Sequence, residues 1–387
     1  MKETYNQMIL QYMINSSSTN FNFREPYIKR SLIYVYPLFM LLHAIVCLAG
    51  IISNVAMVVV IIRRRLYQDQ TFVLFINLAF ADLIKCVFVM PMTLANLLIQ
   101  NWLFGSFLCF FMPMLQYFPV HATMLTFLTI AIDRYRMIVQ PFKSRVQASL
   151  CIIAIWVGSV CLVLPFAIYI KYIDLKATLG EEFDGVGLCT VRVERRIEEY
   201  IRAMFVTLYA MPLATMALLY VRISAEMKSK ESATSRPLSV HFSPISTSTE
   251  VDLDRSSMLH HHHNHAWSPV LEPPSPPTRQ HRQESTQGSD NDLNLPRERR
   301  TQNYLITMNT LFAVCWCPSH ILVLVNYFVH ETDNNVGHYD VTYMLFTWFG
   351  FLSTCTTPVL FMSWVMSDAA KDRLRGYFRF SNRRRTS

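Results

Sequence analysis

The chain has 387 residues and a formal charge of +8, yet only 16% of its residues are charged and 52% are hydrophobic. Soluble domains carry about 25% charged residues, so the composition argues against a soluble enzyme and for a polytopic membrane protein. The positive charge is no argument for nucleic acid, because the Lys and Arg residues sit beside the ends of apolar runs.

In chain order, residues 1–34 read as an extracellular N-terminal segment in which Met1 to Asn22 is polar and lacks the continuous apolar core of a cleavable signal peptide, so the first span is expected to act as the insertion signal. This segment carries one glycosylation sequon, Asn15-Ser16-Ser17, usable if this end is extracellular. Seven apolar runs follow, each long enough to cross a bilayer at about 20 residues. They lie at Val35–Ile62, Phe72–Ile99, Phe104–Val139, Leu150–Ile170, Tyr200–Ile223, Tyr304–Val329 and Val341–Met366. The expected fold is an all-α membrane protein, a seven-transmembrane-helix bundle with spans one to five in residues 35–229 and spans six and seven in 298–366.

Between these blocks, residues 230–297 are rich in Ser, Pro, Gln, Asn and charge, cannot build a core, and read as a disordered third cytoplasmic loop. Its tract His260-His261-His262-His263-Asn264-His265 reads as low complexity, with metal binding the alternative. In residues 367–387, Asp368 to Phe380 mixes basic and apolar residues, either as a short amphipathic helix on the membrane surface or as a frayed tail. Arg383-Arg384-Arg385 would favour anionic lipid. Arg63-Arg64-Arg65, Arg136 with Lys143 and Arg145, Arg222 with Lys228 and Lys230, Arg297 with Arg299 and Arg300, and the residues from Lys371 onward all fall on one side. The positive-inside rule makes that side cytoplasmic and puts the N-terminus outside. An odd number of spans with no internal repeat disfavours a transporter or channel.

Nine cysteines are present. Cys47, Cys86, Cys151, Cys161, Cys315, Cys317 and Cys355 lie inside apolar runs and read as small buried hydrophobes. Cys109 and Cys189 lie at helix-end or loop positions.

Short motifs sit on the runs in a consistent order. Asn54 follows Gly50 in the first, Leu78-Ala79-Phe80-Ala81-Asp82 lies in the second, and Asp133-Arg134-Tyr135 closes the third. Trp102-Leu103-Phe104-Gly105 precedes Cys109, Trp156 marks the fourth, Pro212 and Tyr220 the fifth, and Phe312 with Cys315-Trp316-Cys317-Pro318 the sixth. Together they resemble the rhodopsin-like (class A) G-protein-coupled receptors over nearly all the chain outside the N-terminus and the third cytoplasmic loop. The resemblance implies a receptor with no enzymatic activity and no cofactor, and heterotrimeric G protein and arrestin as cytoplasmic partners. It implies a Cys109–Cys189 disulfide on the oxidising side. It also implies a switch built from Asp133, Arg134, Tyr135, Tyr220, Phe312, Trp316, Pro318 and Pro358. A guanidinium at the end of a span can pair with the adjacent carboxylate in one state and be released in another. Glu298 stands where the family often has an acidic partner for Arg134, with a solvated charge as the alternative.

The ligand-binding expectation rests on Gln116, Tyr117, His121, Trp316 and His320. Gln116 occupies the position where amine receptors carry Asp, so a protonated amine would lack a buried counter-ion. Residues 341–366 contain no Lys, so no retinal Schiff base can form. Gln116 here resembles peptide receptors of the neuropeptide Y and RFamide-like group, and its amide can hydrogen-bond a neutral group such as an amidated C-terminus. Glu181, Glu182, Asp184, Glu331 and Asp333 either attract a basic peptide or are solvated loop charges.

Two departures stand out. The seventh span reads Thr357-Pro358-Val359-Leu360-Phe361, which lacks the family's Asn and Tyr, and the lost hydroxyl leaves open a constitutively active receptor or a non-signalling binding or scaffold module. Asp82 resembles a carboxylate that holds sodium in many of these receptors, but Lys85 lies three residues on, sharing its helix face. A lone Lys at that depth should seek an anion, so a core site of Asp82, Lys85 and Thr123 is expected, in which the ammonium takes the ion's place. The alternative is a Lys85 that reaches the ligand cavity.

Overall fold

The computed structural model describes residues 26, 28–99, 102–179, 181, 184–185, 187–191, 197–234, 295–326 and 336–366. The Asn15 sequon, the histidine tract, Glu182, Glu331, Asp333 and the amphipathic segment within 367–387 lie outside the described residues.

Seven helices are long and apolar enough to cross a membrane: Tyr36–Arg63, Gln70–Leu98, Gly105–Val139, Ala148–Tyr169, Glu199–Ser232, Leu295–Val325 and Tyr339–Val365. The third is central and packs against the second, fourth and fifth. Ile52, Phe107, Leu218, Val221 and Val359 point outward and are exposed. Such a belt is costly in water and at home in lipid. The fifth and sixth helices run past the apolar runs, so residues 230–234 and 295–297, assigned from sequence to the loop, are helical. Tertiary bonds hold these extensions. Lys230 donates to the Ile138 carbonyl at 2.7 Å, and Gln302 donates to the Tyr220 carbonyl and to Ser224 Oγ at 3.0 and 2.8 Å.

Several buried polar side chains tie the spans together, as burial favours. Asn54 Nδ2 donates to the carbonyls of Gly50 and Thr354, both at 2.9 Å, tying the first span to the seventh. Gly50 lets both neighbours come close, since a Cβ there would lie 2.5 Å from Cys86 Sγ on the second span and 3.2 Å from Thr354 Oγ1 on the seventh. Trp156 Nε1 donates to Asn77 Oδ1 at 2.7 Å, and Asn77 Nδ2 donates to Thr126 Oγ1 at 2.9 Å, linking the second, third and fourth spans.

Two π turns, Lys85–Val89 and Val206–Ala210, come just before Pro91 and Pro212. Proline lacks an N–H and clashes with the carbonyl four residues back. A widened turn absorbs the clash and adds one residue to the turn.

At the Cys109 end of the bundle, β1 (Ile170–Asp174) and β2 (Gly187–Val191) form an antiparallel hairpin with Tyr172 opposite Cys189. The sequence reading did not anticipate this hairpin. The Cys109–Cys189 disulfide fastens it to the third span across a separation of 80 residues. Of the seven cysteines expected to be buried, Cys86 and Cys315 are, four are half-buried, and Cys161 is exposed. Cys161 lies on the fourth span, where lipid substitutes for a protein neighbour and a small apolar thiol loses nothing.

Candidate functional site

A cleft opens toward the disulfide end between the third, fourth, fifth and sixth spans, enclosing about 590 Å³ when its mouth is counted. Tyr117 and His121 line it from the third span, Phe166 from the end of the fourth, Tyr200, Phe205 and Tyr209 from the fifth, and His320 from the sixth. Among the described residues the lining includes no carboxylate and no ammonium. His121 and Tyr117 stack with centroids 6.2 Å apart, and the His320 ring lies 4.3 Å from that of Tyr209. Tyr209 and Tyr200 use their hydroxyls on the Ala313 and Leu162 carbonyls, at 2.6 and 2.8 Å. His121 Nε2 is buried and has no hydrogen-bond partner among the described residues. The cleft thus offers aromatic faces and one unfilled polar position, a combination typical of ligand pockets.

Gln116 and Trp316 are not part of this lining. Gln116 instead faces the Tyr343 hydroxyl, on the seventh span, which also faces Thr347. Trp316 lies below the cleft, its centroid 6.3 Å from that of His320. Its Nε1 donates to Ser353 Oγ at 3.1 Å, and it packs on Gly350, where a Cβ would come within 3.1 Å of the indole. Phe312 follows one turn deeper, 6.5 Å from Trp316 and 5.5 Å from Phe127. Among the loop acids, Glu181 and Asp184 are held by Lys176 at 2.9 and 3.2 Å.

Farther in, Lys85 Nζ lies 2.5 Å from Asp82 Oδ1 and donates to Thr123 Oγ1 at 3.0 Å. Pro318 and Pro358 sit inside the sixth and seventh helices. Asn309 Nδ2 donates to the buried Tyr220 hydroxyl at 3.0 Å.

At the Arg134 end the charges sort differently from the adjacent-residue pairing read from the sequence. Asp133 turns to Arg145, with contacts of 2.6 and 2.9 Å, and accepts from Thr71 Oγ1 at 3.0 Å. Neighbours in a helix do not face each other, which leaves Arg134 for other partners. Its side chain is 6% exposed; Nη1 meets Glu298 Oε2 at 3.2 Å and Nη2 meets Asp69 Oδ2 at 3.8 Å. Tyr135 is half-buried against the core. Asp69 was not singled out in the sequence, although it carries a local signal: it caps the second span by accepting from the Thr71 amide at 3.1 Å. It also receives Arg145 at 3.2 Å. Burial works against the Asp69 carboxylate, but the Thr71 amide and the two guanidinium groups outweigh it and hold its pKa below the usual value. The Asp133 hydrogen bond, opposed by burial, raises that of Arg145.

Phe361 is fully buried, its ring 5.2 Å from Phe75 and 5.9 Å from Trp364, with Phe72 stacked on Trp364 at 5.4 Å. An aromatic cluster thus fills the position where a tyrosine hydroxyl was expected from the resemblance.

Seven spans around a central third helix, a disulfide at one end of that helix and a buried arginine at the other define a membrane receptor bundle. The profile described as 7 transmembrane receptor (rhodopsin family) matches residues 53–361, and the chain belongs to this family. Among its relatives, mouse (Mus musculus) neuropeptide FF receptor 2 is 31% identical over 226 residues, which is 55% of this chain and 52% of that protein. The chain thus spans about half the length of that relative. The QRFP-like peptide receptor of Branchiostoma floridae is 24% identical over 84% of this chain and 75% of its own length. Neuropeptide Y receptor type 2 of Macaca mulatta is 25% identical over 89% and 77%.

Proposed function

We propose that this chain is a plasma-membrane receptor for an extracellular peptide, with its N-terminus outside, and that it signals through heterotrimeric G proteins. The carrying observation is the cleft: among the described residues it is aromatic, free of carboxylates, and presents a buried His121 Nε2 with no partner. Such a site suits an aromatic side chain beside a neutral amide, as at an amidated peptide terminus, better than a protonated amine. The relatives' names, neuropeptide FF, QRFP-like peptide and neuropeptide Y receptors, agree with a peptide. A peptide in the cleft touches His320, which lies against Trp316, and Phe312 continues that aromatic column toward Arg134. Binding then favours one arrangement of the sixth span over another, and the cytoplasmic partner responds to the shifted population. The same inner surface serves arrestin, and the clustered Arg residues at the inner ends of the spans contact anionic lipid.

The test is a screen of amidated peptides on intact cells, read by G-protein dissociation, with a tag on the N-terminus detected without permeabilisation. An agonist should emerge, and His121→Leu should weaken it by about 1–3 kcal/mol, roughly 5- to 150-fold, through the stranded ligand group. Silence across the peptides at verified surface expression, or an agonist indifferent to His121 and His320, would overturn the reading.

A further inference from the structure

Lys85 lies at mid-depth in the second span and is among the largest fully buried side chains of the protein. A lysine has the reach to carry its ammonium to water; this one does not use it. Its exposure is 0%, that of Asp82 is 1%, and the two groups meet at 2.5 Å. The third contact fixes the polarity of the site. Thr123 Oγ1 donates its own proton to the Pro119 carbonyl at 3.0 Å, so it meets Lys85 as an acceptor. The Phe312 ring forms a further wall, its centroid 6.0 Å from the ammonium, within cation–π range. The site therefore joins the second, third and sixth spans. Among the described residues Lys85 is the only cation within ion-pair distance of Asp82.

A carboxylate removed from water must take a proton, a small inorganic cation, or a fixed ammonium. We infer that Lys85 is a tethered core cation: its ammonium occupies an Asp82–Thr123 site that would otherwise admit a small monovalent metal ion such as sodium. In the native chain the site is closed to ions from solution. Its occupant cannot leave, so no ion concentration tunes this part of the core. Removing the ammonium while keeping the carboxylate creates a sodium site. The Phe312 ring ties the occupant to the sixth span, so the site forms part of the packing that sets where that span stands. None of this depends on the identity of the ligand or on signalling, and the test uses neither.

The experiment is thermal unfolding of the purified full-length protein in detergent, with sodium exchanged for a large organic cation at constant ionic strength. The wild type should melt at one temperature throughout. Lys85→Met should melt lower without sodium and recover by roughly 2–4 °C as sodium is added. The double variant Asp82→Asn/Lys85→Met should ignore sodium and melt above either single variant in its absence, because it alone leaves no lone buried charge. A wild type that is stabilised by sodium overturns the inference. So does Lys85→Met that is as stable as wild type and indifferent to sodium. If Lys85→Met cannot be purified folded, Asp82→Asn supplies the comparison: it strands the ammonium, and stability equal to or above that of the double variant refutes the pairing.

Discussion

Arg134 is held between two acids on different helices, and removing them has a calculable effect if this arrangement is the silent one. At 3.2 Å from Glu298 and 3.8 Å from Asp69, an effective dielectric of about 20 gives gross attractions of about 5 and 4 kcal/mol. Desolvating a guanidinium this deeply buried cancels most of that, leaving about 1.5–3 kcal/mol for the charge-assisted bond to Glu298. In Glu298→Ala the Asp69 carboxylate remains and recovers part, so the net loss is about 1–2 kcal/mol. That multiplies the open-to-closed ratio by roughly 5–30. A receptor with about 1% of its molecules open at rest then has about 5–25% open. Adding Asp69→Asn removes the second charge while keeping the cap on the second span, since Asn caps as well as Asp, and should raise the fraction further. The assay is ligand-independent guanine-nucleotide exchange in membranes, normalised to surface receptor. A double variant with the basal exchange of the wild type would falsify the idea that these acids restrain Arg134.

Gln116→Leu and Tyr343→Phe should weaken agonist binding to the same degree, about tenfold or less, because each removes one side of the same polar contact; competition binding that finds only one of them active points to direct ligand contact instead. Cys109→Ser should cut surface expression and lower the melting temperature, reflecting a loss of about 2–4 kcal/mol from an unconstrained loop, and unchanged unfolding in the purified variant would contradict that. The charge cluster at Asp69 has a defined pH range. Its carboxylate pKa is lowered by folding, so the stability it adds is present above the unfolded value of about 3.9 and is lost as pH falls through the lower folded value. Basal exchange should therefore be flat from about pH 6 to 8 as far as Asp69 is concerned, and a change that vanishes in Asp69→Asn would show the opposite.

The seven spans are legible because each is an apolar run ended by charge, and bilayer thickness makes that pattern decisive. The Asp82–Lys85 contact is legible for a local reason: three residues along a helix bring side chains onto one face. What sequence could not reveal is set by contacts far apart in the chain. Asp69 is readable as a cap from Asp69-Gln70-Thr71, but nothing local connects it to Arg134. Asp133 and Arg134 look like partners because they are adjacent, yet helix geometry sends them to opposite neighbours. The cleft's fifth-span wall, Phe205 and Tyr209, has i, i+4 spacing that marks one face without saying what the face meets. The β1–β2 hairpin depends on pairing across a long connection, and the polar ends of the fifth and sixth helices are helical only because other spans hold them.

The sixth helix is also a mechanical element. Leu295–Asn326 is unbroken except for the missing backbone bond at Pro318, and a rise of 1.5 Å per residue puts its Leu295 tip about 34 Å from that proline. A bend of about 10° at Pro318 would carry the tip through about 6 Å while displacing Phe312, one and a half turns away, by only about 1.5 Å. Glu298 grips Arg134 near the tip, about 30 Å from the fulcrum, where a restraint has its greatest leverage. A single ion pair there can oppose a torque that would take many close-packed contacts to resist near the hinge, so a ligand working beside Trp316 must deliver about ten times the force over a sub-ångström displacement to break it.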